Sequence, residues 1–152
     1  MKRIVKMFAI GIIFCILGCG KKEYTTCTIK VNNLNQNYTF NAEYKIYYNK
    51  TFVTKIEKEE IYKSNYAGVI DYLKASNELN YNNLNDLYGG YDYSIDSDKT
   101  SLTIKTTIDT SNVDFKSMVQ NGEISSDYVI SNKLTISGAK YLYKEKGATC
   151  DT

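Results

Sequence analysis

"YTFNAEYKIYY", residues Tyr38 to Tyr48, alternates with a period of two. Tyr38, Phe40, Ala42, Tyr44, Ile46 and Tyr48 fall on one face. Thr39, Asn41, Glu43, Lys45 and Tyr47 fall on the other. A strand with one apolar and one polar face is half-buried and suits an antiparallel sheet. Asn49-Lys50 makes the next turn, and Thr51 to Ser64 reads as the partner strand. There Phe52, Thr54 and Ile56 face one way, with Val53, Lys55 and Glu57 opposite. Upstream, "TCTIKV" (Thr26 to Val31) is a weaker strand, set off by the turn Asn32 to Asn37.

Downstream the period changes. Tyr66, Val69, Ile70, Leu73 and Asn77 recur at helical spacing between Tyr66 and Asn80, with Ser64 or Asn65 as N-cap. Leu79, Leu84 and Leu87 extend the apolar side through an Asn-rich stretch. Gly89-Gly90 breaks the chain. Tyr91 to Ile95 and Ser101 to Ile108 then read as a hairpin around Asp96-Ser97-Asp98-Lys99, with Leu102, Ile104, Thr106 and Ile108 inward. Val113 to Gln120 is a short helix ended by Asn121-Gly122. A last helix opens at Ser137, carries Tyr141, Leu142 and Lys146 on neighbouring turns, and closes at Gly147. The order β-β-β-α-β-β-α-α implies an α+β domain: an antiparallel sheet of about five strands with two to three helices packed on one face.

The chain has 152 residues, enough for one domain with a core. Tyr is heavy at 15 residues, against 5 Phe and no Trp, and Asn and Lys are heavy too; this fits an AT-rich coding bias. There is no His, which excludes Ser-His-Asp and Cys-His catalysis and His-containing zinc sites. With no Pro, the turns rest on Gly, Asn, Asp and Ser.

The N-terminus reads as a processing signal. Lys2, Arg3 and Lys6 form a basic region, and Met7 to Leu17 is an uncharged, mostly apolar run. Eleven helical residues cover only about 16 Å, short of a roughly 30 Å hydrocarbon core. Ile16-Leu17-Gly18-Cys19 resembles the lipobox of bacterial lipoproteins. That resemblance implies a signal peptide over residues 1–18, cleavage before Cys19, and lipidation of Cys19 by diacylglycerol and palmitate chains. An ordinary signal peptide or an uncleaved anchor is the alternative. Two or three acyl chains hold a protein stably on a membrane. From +2, the loss of Lys2, Arg3 and Lys6 leaves a formal charge of −1, so the mature body carries no basic footprint for nucleic acid. Lys21 and Lys22 would favour an anionic lipid surface.

Of the four cysteines, Cys15 leaves with the signal and Cys19 is acylated. Cys27 and Cys150 remain, in a compartment where disulfides persist. The expectation is a bridge between them. Two free thiols are the alternative if export lacks an oxidant, and no CxxC spacing favours a redox pair. Residues 19–26 form a tether whose eight positions reach no more than about 26 Å. Residues 27–152 are then a single domain close above the bilayer.

Leu17-Gly18-Cys19-Gly20, the alternating strand around Tyr44, "LTIKTTID" leading to Val113-Asp114-Phe115-Lys116, and the closing helix around Ala139 to Tyr143 with Gly147 together resemble the YehR-like small lipoproteins. The resemblance implies a lipid-anchored α+β domain and offers no catalytic residue. The Cys27 and Cys150 pair and the Asn/Tyr-rich residues 77–93 lie outside the matching motifs.

Asp96-Ser97-Asp98 begins like a calcium loop, but Ser101 stands at the sixth position and Thr107 at the twelfth, so a turn is the better reading and no metal site is expected. The acids Asp92, Asp96, Asp98, Asp109 and Asp114 sit at turns and strand ends rather than as a glycosidase pair. The loop with Tyr88, Tyr91, Asp92 and Tyr93 around Gly89-Gly90 is the candidate ligand loop, able to stack on a sugar or peptide; the bland alternative packs Tyr91 and Tyr93 inward. The reading is a monomeric, non-catalytic binding module without a cofactor. It sits on the extracytoplasmic face of a bacterial cell membrane through Cys19, with a cell-surface protein or glycan as partner. A structural or envelope-stress accessory protein acting through protein contacts is the alternative.

Overall fold

The computed structural model describes residues 23–33 and 37–151. Strands β1 (Glu23–Asn33), β2 (Tyr38–Asn49) and β3 (Phe52–Lys63) form a meander, followed by helix α1 (Val69–Tyr88). The hairpin β4 (Tyr91–Ser97) and β5 (Ser101–Asp109) comes next, then α2 (Phe115–Gln120) and a 3-10 turn at Ser126–Tyr128. The small hairpin β6 (Val129–Ile130) and β7 (Lys133–Leu134), α3 (Ile136–Glu145) and β8 (Thr149–Cys150) complete the chain. The main sheet has the order β4-β5-β3-β2-β1-β8, antiparallel throughout. This is an α+β fold, with six strands in the sheet where about five were expected. The added strand, β8, is two residues long, too short to carry a periodic pattern.

The Tyr38–Tyr48 alternation is realised: Ala42, Tyr44 and Ile46 are buried and Glu43 and Lys45 lie on the other side. Cross-strand register extends that parity over the whole sheet. One row runs Cys150, Cys27, Tyr44, Lys58, Thr106, Tyr93; the next runs Ile29, Ala42, Glu60, Ile104, Ile95. β3 departs from the sequence reading. Tyr48 pairs with Val53 but Tyr47 with Lys55, so Thr54 is an extra residue, a β-bulge. The bulge shifts the alternation by one, and Val53 is buried together with Ile56, whereas Phe52 and Thr54 do not share that face.

α1 starts later and ends later than expected. Ser64 accepts from the Tyr66 backbone N–H, but the helix begins only after Gly68, whose φ of 78° resets the chain, and no side chain caps it. Helix continues through the Asn-rich stretch because Tyr81 and Tyr88 are buried there; Leu79 and Leu87 are exposed. Asp114 caps α2 by accepting from Ser117 N–H at 3.0 Å, and Thr135 caps α3 by accepting from Gly138 N–H at 3.0 Å. Two packed groups make the core. Ile46, Ile56, Tyr88, Phe115, Leu134 and Tyr143 belong to one; Ile70, Leu73, Tyr81, Leu102 and Ile104 to the other.

Candidate functional site

Cys19 lies outside the described residues. β1 begins at Glu23, so four residues read as tether belong to the sheet. Cys27 and Cys150 face each other across β1 and β8, with sulfurs 2.01 Å apart and Cα atoms 3.9 Å apart. Asp151 N–H donates to Thr26 C=O, which makes the neighbouring Cys27–Cys150 position a non-hydrogen-bonded pair. Those are the closest positions in an antiparallel ladder and suit a cross-strand bridge.

The four residues of the candidate loop are not brought together. Tyr88 is buried and its hydroxyl accepts from Asn121 Nδ2 at 3.0 Å. Tyr91 packs against the core, and Tyr93 stacks on Tyr81 with ring centroids 5.1 Å apart. Asp92 sits on the opposite, exposed side of β4. Gly89-Gly90 is a tight junction: a Cβ on Gly90, at φ +79°, would stand 2.6 Å from Val113 Cγ2 and 2.8 Å from the Asp109 carbonyl oxygen. Gly90→Ala is therefore expected to lower the unfolding free energy by about 2–4 kcal/mol, combining left-handed strain with overpacking, as read by urea denaturation.

The outer face of the sheet carries a shallow depression of about 420 Å³ among Glu43, Lys45, Glu57, Glu59 and Lys105. Most of its charges are already matched: Lys45 to Glu43 at 3.3 Å, Lys105 to Glu59 at 3.5 Å and Glu57 to Lys55 at 2.6 Å. Exposed pairs of this kind contribute little. Asp98 serves the β4–β5 turn, accepting from the backbone N–H of Thr100 and Ser101. Among the described residues no three His, Cys, Asp or Glu side chains are grouped to hold a metal.

The inner face is different. Two charged residues, Lys58 and Glu60, stand two apart on the buried side of β3, with side chains 14% and 11% exposed. Lys58 Nζ lies 3.7 Å from Glu60 Oε1. Tyr81 of α1 bridges them: Lys58 Nζ donates to its hydroxyl at 2.8 Å, and that hydroxyl donates to Glu60 Oε2. The Lys58 ammonium also lies 4.9 Å from the centre of the Tyr81 ring. Beside this network lies a cavity of about 270 Å³ lined by residues of β2, β3, β5, α1, α2 and α3. Lys58, Glu60, Tyr44 and Tyr143 line its polar side, and Phe115, Met118, Leu134 and Leu142 its apolar side. Tyr44 and Tyr143 stack at 4.3 Å. Exposed Asn80, Glu123 and Lys146 form its mouth.

Burial shapes the electrostatics. It pulls Lys58 below the ordinary lysine range, an effect that Lys146 reinforces and Glu60 opposes. Burial, then the Glu60 charge, pushes the Tyr81 phenol far up, and does the same to Tyr44 and Tyr62. Burial, then Glu123, raises Tyr91 to about 12; burial, then Tyr44, raises Tyr143 strongly. A phenol raised in the fold contributes stability that is complete below its unfolded value of 10.0 and is lost as pH climbs toward the folded one. Lys58 runs the other way, since its folded value lies below its unfolded one. Five phenols outweigh one ammonium, so stability is expected to fall steeply above about pH 10. Ultraviolet tyrosinate absorbance should show these five titrating in one cooperative unfolding step; smooth titration without unfolding would contradict their burial.

Sequence reasoning did not single out Lys58, Glu60 or Tyr81. One signal was present: counting by twos from the apolar Ile56 puts Lys58 and Glu60 on its face, a local conflict between charge and burial that marks functional positions.

No family model matches the chain, and no curated protein matches it. Solved structures do. The fold is similar to that of E. coli YehR. The NMR structure of YehR superposes with a TM-score of 0.55 over 86% of this chain and 92% of its own, at 15% identity. An NMR structure of a protein from Streptococcus pneumoniae TIGR4 aligns over 99% of both chains at 14% identity, with a TM-score of 0.48. The likeness to YehR is thus one of fold, which supports the α+β part of the sequence resemblance.

Proposed function

We propose that this chain is a lipid-anchored extracytoplasmic lipoprotein of the YehR-like kind, and that it is a non-catalytic binding module. Its site is the cavity between the helices and the sheet, with α1, α2 and α3 sharing the face that carries Tyr44 and Lys58. The observation that carries this reading is the Lys58–Tyr81–Glu60 network beside that cavity. A desolvated charge pair is a weak source of stability and is often replaceable by apolar residues. A cavity combining apolar walls with a few convergent polar groups is the usual form of a small-molecule site. The candidate loop at Tyr88 to Tyr93 then contributes walls rather than an exposed platform. Anchoring at Cys19 leaves four positions to Glu23, about 13 Å at full extension, so the domain would sit against the bilayer.

Intact mass of the chain extracted from membranes tests the anchor: an acylated Cys19 at the N-terminus is expected, and an unmodified Cys19 or a chain starting at Met1 contradicts it. Titration with n-octanol, followed by backbone amide shifts, tests the site. Saturable shifts at Phe115, Met118 and Tyr143 are expected. Shifts confined to the outer sheet face, or none, contradict the cavity reading.

A further inference from the structure

Taking the cavity as the binding site, we propose that its ligand is a small organic monoanion, a carboxylate with a short apolar body, whose carboxylate sits on Lys58 Nζ and the Tyr143 hydroxyl. Three observations converge on this class.

The first is the hydrogen-bond account. An ammonium has three donors. Lys58 gives one to the Tyr81 hydroxyl and stands at ion-pair distance, 3.7 Å, from Glu60, which leaves a donor unspent in a side chain 14% exposed. The Tyr143 hydroxyl, on a residue 5% exposed, makes no hydrogen bond among the described residues. Glu60, by contrast, is engaged at both oxygens, one toward Lys58 and the other accepting from Tyr81. The polar side of the cavity therefore has donors to spare and no idle carboxylate, so it calls for an acceptor. A hydrogen bond from an ammonium to a carboxylate is charge-assisted and stronger than one to a neutral acceptor, which gives a carboxylate ligand its advantage.

The second is charge. Two ammoniums, Lys58 and Lys146, line the cavity and repel each other, and the one carboxylate acting on Lys58 is Glu60. Glu123 stands with Lys146 at the mouth. The lining is neutral in sum, with Lys58 and Glu60 inside and Lys146 and Glu123 at the mouth, and with Glu60 already engaged at both oxygens the Lys58 ammonium is the inner charge left open to an anionic head. The third is size. At roughly 30 Å³ per water, 270 Å³ corresponds to about nine waters, room for a ligand of about ten non-hydrogen atoms. Phe115, Met118, Leu134 and Leu142 offer its body an apolar wall.

The test compares octanoate, octylamine and n-octanol, equal in chain length and different in charge, on the full chain in nanodiscs. Amide shifts at Tyr143, Phe115 and Met118 report occupancy. Octanoate is expected to bind at least tenfold tighter than octylamine. Lys58→Met/Glu60→Leu should lose that preference, reducing octanoate binding at least tenfold. Lys146→Gln, which leaves the buried network intact, should weaken octanoate binding severalfold. Octylamine binding as well as or better than octanoate, or a preference that survives in Lys58→Met/Glu60→Leu, overturns the anion proposal while the cavity reading stands. If none of the three probes perturbs the cavity residues, both fall.

Discussion

Cys27→Ala/Cys150→Ala should lower the unfolding free energy by about 4–5 kcal/mol, the largest single loss expected for this chain. The bridge spans 123 positions, nearly the whole described fold, so its removal frees a very long loop in the unfolded chain. The chain-entropy account gives its largest values for such loops. A structural loss adds to it. β8 is two residues long and rests on β1 through the Cys27 and Thr28 pairs, so without the bridge the C-terminal strand has little to hold it. Urea unfolding of the oxidised wild type against the double alanine variant reads this directly. A difference under about 1 kcal/mol would mean that the core and α3 already fix the C-terminus.

Glu60→Leu should cost about 3–5 kcal/mol, because it strands a desolvated ammonium and removes the acceptor of the Tyr81 hydroxyl. Lys58→Met alone should be similarly harmful, leaving the Glu60 carboxylate with a phenol and no counter-charge. The double variant Lys58→Met/Glu60→Leu is the informative one. It replaces both charges with apolar groups of similar size, which in buried ion pairs is often neutral or stabilising by about 1–4 kcal/mol. Strong non-additivity is therefore expected: two damaging single changes that cancel when combined. If the double variant instead loses as much as the sum of the singles, Lys58 and Glu60 are fastening the fold, and the site argument weakens.

The legible parts of the fold were those where hydrophobic alternation ran unbroken. Tyr38 to Tyr48 set the core face of β2, and Leu102 to Ile108 set that of β5. Both held because period-two patterning is local and strong. On β3 the same reasoning failed at Thr54, since a bulge leaves no mark in composition yet flips every residue on one side of it. Helix α1 was cut short at Asn80 because Asn is a weak helix former; tertiary burial of Tyr81 and Tyr88 carries it on to Tyr88. β6, β7 and β8, at two residues each, are too short for any period to show. The candidate site was less legible. A tyrosine loop flanking two glycines suggested an exposed platform, whereas Gly89-Gly90 is there to let α1 and β4 approach the Asp109–Val113 segment. Lys58 and Glu60 lie in Lys55 to Glu60, where five of six residues are charged, and nothing in that composition separates the buried charges from the exposed ones. Their burial follows from the Ile56 parity, which becomes decisive only when β3 is known to lie inside the sheet between β2 and β5.

The most direct test of the account is the urea midpoint of the wild type and of Lys58→Met/Glu60→Leu, each with and without octanoate. A ligand that binds only the folded chain stabilises it by about 2.7 kcal/mol at one hundred times its dissociation constant. The account predicts two chains of comparable stability without octanoate, of which only the wild type gains when it is added. A wild-type midpoint indifferent to octanoate, or a double variant raised equally by it, would contradict the claim that this buried pair exists to receive a ligand.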